Sequence, residues 1–137
     1  MVRKLLRAGI VAALGMLAVM ASYGVATSAN REDVDVGEIM SKSFGKTGFK
    51  GQVAKAVKGG KWEDAEKIAK EWNDLGVTLV KAKPPRGDAK SWEQHAKKFG
   101  ATTKMILDGT TNKDAKATTK AIGSFNCMGC HKAHKGA

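Results

Sequence analysis

The chain has 137 residues, enough for one domain with a modest core once an N-terminal leader is set aside. Its 24 lysines and arginines outnumber 13 aspartates and glutamates, and the resulting charge of +11 favours partners with acidic surfaces. Two cysteines are too few for a disulfide-stapled scaffold. Because the lysines are spread along the chain and no nucleic-acid-binding motif occurs, the charge does not indicate a nucleic-acid-binding protein.

Residues 1–29 have the organisation of a secretory signal peptide. An apolar stretch over residues 8–21 is followed by small residues, which predicts cleavage after about Ala26 or Ala29. The positive region before that stretch contains three basic residues, Arg3, Lys4 and Arg7. The alternative is an uncleaved membrane anchor, because the apolar stretch is nearly long enough to span a bilayer. Either interpretation places the rest of the chain in the periplasm or another extracytoplasmic compartment.

The mature chain is then a single domain of residues 30–137. The leader removes three of the 24 basic residues and no acidic one, so 21 basic and 13 acidic residues remain, a net charge of +8. In an exported chain this charge favours a solvated cationic surface that steers acidic partner proteins, rather than nucleic acid. We expect no stable membrane insertion after the leader is cleaved.

Helical periodicity dominates the mature chain. A first apolar stripe covers residues 34–44, and Gly45–Gly48 then predicts either a kink or a stop and restart of the helix. The restarted pattern ends at Gly59–Gly60. A second helix repeats apolar residues at spacings of three and four from Trp62 to Val80. It must end before Pro84–Pro85, because proline cannot extend a helix.

The third helix is predicted to begin at an Asp88 or Ser91 cap and to close at Asp108–Gly109. The fourth is predicted to begin near residues 112–114 and to run without a break into the C-terminal segment. Four helices joined by short loops predict an all-α fold, an antiparallel four-helix bundle. Four large side chains are expected to pack inside it, Trp62, Trp72, Trp92 and Met105.

The segment Cys127-Met128-Gly129-Cys130-His131 fits C-x-x-C-H, the pattern for covalent haem attachment. On a helix, Cys127 and His131 share one face at i and i+4, and Cys130 flanks it. One turn can therefore offer two thiols to the vinyl groups of a porphyrin and an imidazole to its iron. The pattern predicts one haem c, attached through both cysteines and ligated by His131. Many inward positions are alanine, glycine or threonine, so a porphyrin would complete a thin core and stabilise the fold.

Other interpretations of this segment are open. A redox-active disulfide usually follows a strand, and no βαβ pattern precedes the cysteines. A zinc site would use four donors crowded into eight residues, Cys127, Cys130, His131 and His134. A structural disulfide would have to join i and i+3 positions of one helix, where the side chains are poorly placed to bridge. Further ligand candidates rank lower: His95 lies in a polar stretch, Met128 is inside the motif, and His134 is expected to face solvent.

An attachment motif on the last of four helices resembles the cytochrome c′ family, the class II c-type cytochromes. The resemblance covers about residues 33–135. Besides the motif, it is carried by the turn Pro84-Pro85-Arg86-Gly87 followed by Trp92, and by the run Glu38-Ile39-Met40-Ser41-Lys42. The chain departs from the family pattern at Val36, where many members have an arginine, and in the early glycine break after the first stripe.

The resemblance implies that His131 is the proximal iron ligand and that the first helix supplies the distal residue, which here is Met40. Family members with methionine at that place are six-coordinate, low-spin electron carriers. Members with an apolar residue there are five-coordinate and bind nitric oxide or carbon monoxide. The alternative for Met40 is an ordinary core methionine. Many relatives of this type form antiparallel homodimers.

The expected function is therefore that of an exported monohaem electron carrier with acidic redox partner proteins. A methionine ligand at the iron favours the reduced state and raises the reduction potential, which suits electron transfer. The alternative is a five-coordinate protein that binds nitric oxide or carbon monoxide. An enzyme is not expected, because no paired acid and base and no nucleophile constellation occur.

Overall fold

The structure is a computed structural model that describes residues 33–136. Every secondary-structure element in this range is a helix, so the predicted all-α class is confirmed, and the arrangement is compatible with a helical bundle. The six helices are α1 (Val36–Phe44), α2 (Phe49–Lys58), α3 (Trp62–Lys81), α4 (Ala89–Thr111), α5 (Ala115–Ile122) and α6 (Cys127–His134). The predicted signal peptide lies outside the described residues. Within them, no helix combines the length and the apolar character needed to cross a membrane.

The first helical stretch stops and restarts at Gly45–Gly48, which is one of the two outcomes expected from the sequence. The Asp35 carboxylate accepts the Glu38 amide at 3.0 Å and starts α1. At the other end, the Gly45 amide donates to the Ser41 carbonyl. A Cβ on Gly48 would lie 2.8–2.9 Å from backbone atoms of Gly45, Lys42 and Ser43. This turn between α1 and α2 is therefore too tight for a side chain.

The helices α3 and α4 begin and end largely where the sequence predicts. The Asp88 carboxylate accepts the Ser91 amide at 2.8 Å, which confirms the predicted cap. The predicted end at Asp108–Gly109 is wrong, because α4 continues to Thr111. Gly109 is buried, and a Cβ there would lie 2.5 Å from the Thr118 hydroxyl. This glycine allows close approach of α5 and does not terminate the helix.

The predicted fourth helix is two helices. After Ile122 the chain leaves the helix, and the Ser124 amide and hydroxyl both donate to the Ala121 carbonyl, at 3.0 and 2.7 Å. A new helix then begins at Cys127, with Asn126 as its cap. The prediction of an unbroken helix was wrong because these short polar side chains bond to local backbone groups that a continuous helix would use.

Two apolar clusters fill the core, and α3 and α4 contribute residues to both. We call the first the motif cluster because it includes Cys130. Its members are Ile39, Leu79, Ala82, Trp92 and Ala96, with the partly buried Val34, Val36, Met40, Leu75, Val80, Phe99 and Cys130. The second, the aromatic cluster, contains Val53, Ala69, Trp72, Ile106 and Ala121, with the partly buried Phe44, Phe49, Val57, Ile68, Leu107, Ile122 and Phe125. Phe99 joins the two clusters through ring contacts to Phe44 and Phe125, at 6.1 and 5.1 Å between centroids.

The two fully buried tryptophans each satisfy their indole N–H. Trp72 Nε1 donates to the Ser43 hydroxyl at 3.0 Å, and Trp92 Nε1 donates to the Ala82 carbonyl at 2.9 Å. Both therefore pack inside, as predicted, while Trp62 is half-buried. Met105 was also expected to pack, but 49% of its surface is exposed on α4. That prediction was wrong, because an apolar residue late in a helix stripe need not face the core.

Candidate functional site

The helix α6 carries the candidate site, and its first turn is built by a cap. The Asn126 side-chain oxygen accepts the Gly129 amide at 3.1 Å. A Cβ on Gly129 would lie 2.6 Å from Asn126 Nδ2, so a larger residue at this position would displace the capping side chain. One neighbour of the motif and one residue inside it are thus explained locally: Asn126 starts the helix, and Gly129 leaves room for the Asn126 side chain.

Cys127, Cys130 and His131 occupy this one helical turn, as the spacing predicts. Both thiols are free; Cys127 is exposed, and Cys130 is half-buried against the motif cluster. The His131 side chain is exposed. Within residues 33–136, no hydrogen bond involves its imidazole, so both ring nitrogens are available to a ligand. Met128, inside the motif, is 69% exposed and packs against nothing in the core.

Burial of Cys130 raises the pKa of its thiol, and the negative charge that Cys127 can carry raises it further. Desolvation disfavours a thiolate, and a nearby like charge acts in the same direction. Cys130 therefore remains a protonated thiol over the neutral pH range. The two cysteines of the motif are chemically different, although the sequence pattern treats them alike.

Met40, the sequence-predicted distal residue, lies on α1 and is half-buried. It packs in the same motif cluster as Cys130, together with Val36 one turn earlier. The fold thus brings the first and last helices to one apolar region.

His134 does not face solvent as expected: only 2% of its surface is exposed. Its Nδ1 lies 2.7 Å from the Arg86 carbonyl oxygen, and its Nε2 lies 3.0 Å from the Ser91 hydroxyl. The Trp92 ring packs edge-on against it, at 5.4 Å between centroids. The prediction that His134 faces solvent was based on the neighbouring lysines and was wrong. The last turn of α6 directs this side chain toward α4 and the loop before α4.

The same contacts bear on the zinc interpretation. Because both His134 ring nitrogens already have partners, this histidine does not converge with the two thiols and His131. Within the described part of the chain, no three side chains among His, Cys, Asp and Glu are grouped to hold a metal ion. His95 is half-buried and lies beside His134, at 5.7 Å between ring centroids.

The loop before α4 closes over the last turn of α6. Arg86 Nη2 donates to the Lys132 carbonyl at 3.3 Å. Gly87 has a φ of +87°, a conformation that favours glycine, and a Cβ there would lie 2.6 Å from the Ala133 carbonyl oxygen. In the sequence, the Pro84–Gly87 turn was interpreted as a helix stop and as part of the family resemblance, but not as a contact with α6. The available signal was Gly87 itself, because a residue without a side chain allows another backbone to approach closely.

The surroundings of α6 are basic. Residues 82–91 and 126–136 contain five lysines and arginines that are exposed, Lys83, Arg86, Lys90, Lys132 and Lys135. Asp88 is the acidic residue of these two segments, and its carboxylate is used as the α4 cap. An open groove of about 740 Å³ lies elsewhere, between α2 and α3, and none of the motif residues lines it. The candidate site is therefore an exposed, cationic helix beside an apolar cluster.

Comparisons with protein-family models, with curated proteins and with solved structures found no match to this chain. The interpretation of the site therefore depends on the motif and on the contacts that surround it. The strongest of these are the free thiols of Cys127 and Cys130, the unengaged imidazole of His131, and the apolar cluster that reaches Met40.

Proposed function

We propose that this chain is an exported monohaem c-type cytochrome that carries single electrons. One haem c is held by thioether bonds to Cys127 and Cys130, with His131 as proximal and Met40 as distal iron ligand. A single observation carries the proposal: two free thiols and an unengaged imidazole share one turn of α6, beside the cluster that contains Met40.

The side chains present have the chemistry that covalent attachment needs. Each thioether forms when a thiol adds across a vinyl group: sulfur bonds to one carbon, and the thiol hydrogen goes to the other. The addition needs reduced cysteines and no external oxidant, and both thiols are free.

The axial residues are matched to electron transfer. A bound haem supplies the ferric–ferrous couple of its iron. Within the described residues the His131 imidazole has no competing hydrogen bond, and Met40 is half-buried against a cluster of hydrophobic residues. A thioether ligand raises the reduction potential of haem iron. Burial in an apolar environment also influences the potential of this ferric–ferrous couple. Electron transfer at an exposed edge of the haem then requires no bond to be made or broken in the protein.

The finer architecture follows from the same proposal. We infer that α1–α2, α3, α4 and α5–α6 are the four arms of an antiparallel bundle, two of them broken by turns. The haem would lie on the last arm, as in the cytochrome c′ family that the sequence resembles. The two breaks are then local departures within arms of that bundle.

The cellular setting is part of the proposal. The predicted leader, residues 1–29, sends the chain to the periplasm or an equivalent compartment, where covalent haem attachment takes place. The exposed lysines and arginines around α6 favour acidic redox partner proteins and give no role to nucleic acid. As in many relatives of this type, two copies would form a homodimer.

A second candidate function is binding of nitric oxide or carbon monoxide to a five-coordinate iron. It is favoured by one observation: α1 ends at Phe44, one turn after Met40, and the tight Gly45–Gly48 turn follows. A short helix can hold Met40 as core packing, with its sulfur away from the iron. The distal side would then be apolar, lined by residues such as Val36, and open to small uncharged gases.

The proposal is tested by producing the chain in a host with a working cytochrome-assembly system. We expect a coloured protein whose mass exceeds that of the mature polypeptide by one haem, and whose haem survives denaturing electrophoresis. The reduced spectrum separates the two candidates, because a six-coordinate low-spin iron gives sharp bands and a high-spin iron does not. The variant with Cys127→Ala and Cys130→Ala is the control and must be colourless. Wild-type protein with the mass of the bare polypeptide would refute the proposal.

A further inference from the structure

We propose that His134 is a positioning residue for the haem ligand His131, and that it acts through a clasp between the loop before α4 and the end of α6. The clasp consists of Arg86, Gly87 and Ser91 on one side and Lys132–His134 on the other. This inference rests on the proposed function, since it concerns the orientation of an axial ligand.

The hydrogen bonds of His134 define its state. The Arg86 carbonyl can only accept, so Nδ1 at 2.7 Å carries the ring proton and donates it. In the neutral imidazole Nε2 is then an acceptor, and the Ser91 hydroxyl donates to it at 3.0 Å. His134 is the one buried side chain of α6 in the described structure, and it is held at both nitrogens. Both partners belong to the segment that starts α4.

The other half of the clasp fixes the backbone of the same turn. Arg86 reaches past His134 to the Lys132 carbonyl, and Gly87 passes against the Ala133 carbonyl, where a Cβ would not fit. The Arg86 bond also satisfies the Lys132 carbonyl, one of those that the C-terminal end of a helix leaves unpaired. Three consecutive residues of the last turn are thus held by one loop.

Geometry connects the clasp to the iron ligand. His134 follows His131 by three residues, so the two lie about 4.5 Å apart along the helix axis, at about 1.5 Å per residue. An eight-residue helix is too short to be stable by itself, and α6 packs mainly against α4. A roll or shift of α6 at His134 would therefore move the His131 imidazole. The clasp prevents that movement.

The test compares four variants of the mature holoprotein. His134→Phe keeps the ring and removes both hydrogen bonds; Ser91→Ala removes one; His134→Asn retains a donor for the Arg86 carbonyl; Gly87→Ala strains the loop. His95→Phe is the matched control, because it removes the neighbouring imidazole and no hydrogen bond of the clasp. The readouts are the reduction potential, the rate of carbon monoxide binding and amide exchange along α6.

We expect His134→Phe and Gly87→Ala to lower amide protection in α6 about tenfold or more, since loss of a single hydrogen bond corresponds to about tenfold and His134→Phe removes two. The same variants should shift the reduction potential and speed carbon monoxide binding, with Ser91→Ala intermediate and His134→Asn close to wild type. His95→Phe should resemble wild type.

Two results would overturn the proposal. Unchanged α6 protection in His134→Phe would show that the clasp does not hold the helix. Lower protection with an unchanged potential and carbon monoxide rate would show a purely structural role. Failure of the proposed function would give a different result, namely a wild-type protein without haem. In that case amide exchange in α6 would still show whether the clasp forms. Should His134→Phe fail to fold, Ser91→Ala decides by the same readouts.

Discussion

Met40 and Cys130 come from opposite ends of the described chain and pack in one apolar cluster. One side chain is the predicted distal ligand, and the other is a predicted attachment point for the porphyrin. Their shared environment places the two proposed sides of a haem site in a single region of the fold. The proposed role of Met40 as distal ligand can therefore be tested by substituting this one residue.

Met40→Ala should lower the reduction potential and open the iron to carbon monoxide. Loss of a thioether ligand should lower the potential by on the order of 100 mV, well inside the roughly 0.8 V range that axial ligands span. Because Met40 is half-buried, the unfolding free energy should also fall, by about 1–2 kcal/mol, below the cost for a fully buried methionine. Potentiometry and carbon monoxide titration measure the first effects. Met105→Ala, at an exposed methionine, is the control, and carbon monoxide binding equal to wild type would rule out methionine ligation.

The two cysteines should differ in reactivity in the chain before haem attachment. The thiolate is the form that reacts with iodoacetamide, and a raised pKa leaves less of it at neutral pH. Cys127 should therefore be alkylated severalfold faster than Cys130 at pH 7. The ratio should fall as pH rises through the elevated pKa of Cys130, because its thiolate then forms. Peptide mass spectrometry follows both sites, and equal rates in the folded chain at pH 7 would contradict the described burial.

The cap of α6 predicts a coupling between Asn126 and Gly129. Asn126→Ala should lower the unfolding free energy by about 1 kcal/mol, the usual cost of a lost N-cap. Gly129→Ala gains up to about 1 kcal/mol of helix propensity, but its Cβ displaces the cap, so the two effects should offset each other. In the Asn126→Ala background only the gain should remain. Urea denaturation of all four proteins gives the coupling energy. Gly123→Ala, whose Cβ would have ordinary contacts of 3.6–3.7 Å, is the control, and strict additivity would refute the cap geometry.

Two helical glycines should respond to alanine in opposite directions. A Cβ on Gly76 would collide with the Thr103 hydroxyl and lie 3.2 Å from Gly100 Cα, so Gly76→Ala should destabilise by about 1–3 kcal/mol through overpacking. A Cβ on Gly51 meets nothing within 4 Å in α2, so Gly51→Ala should stabilise by about 0.5–1 kcal/mol. Thermal and urea unfolding measure both. If Gly76→Ala were neutral, the close α3–α4 contact would be wrong.

Electron transfer to an acidic partner protein should slow as salt is added. The lysines and arginines around α6 are exposed, and attraction between exposed charges is screened over about 8 Å at physiological ionic strength. Stopped-flow rates with an acidic redox protein should therefore fall across a salt titration, mainly through slower association. A small neutral electron donor is the control and should show little dependence. A rate that rises with salt for the acidic partner would contradict the proposed surface.

Much of the helical layout could be predicted, because its causes are local. Apolar spacing predicted α3, the glycines after Phe44 predicted the first break, and Asp88 predicted the cap of α4. Pro84–Pro85 separated the second and third helices for steric reasons that act within a few residues. These predictions are confirmed because neither propensity nor capping depends on distant parts of the chain.

The errors have tertiary causes. Gly109 suggested a helix end, but the glycine is needed where α5 approaches, as its contact with Thr118 shows. The break before α6 depends on bonds of Ser124 and Asn126 that compete with helix continuation. His134 was placed in solvent because its partners, Arg86 and Ser91, are more than 40 residues away in the chain. Haem attachment, its ligands and electron transfer stay predictions.

The break between α5 and α6 has a consequence for maturation. A segment of eight residues cannot hold a helical shape in water without its neighbours, so in the proposed exported chain the C-terminus would be peptide-like until it docks. In that state Cys127, Cys130 and His131 would be accessible to the assembly enzyme that the proposed haem attachment requires, more so than in a continuous rigid helix. Docking of the last turn can then follow as a separate, later event.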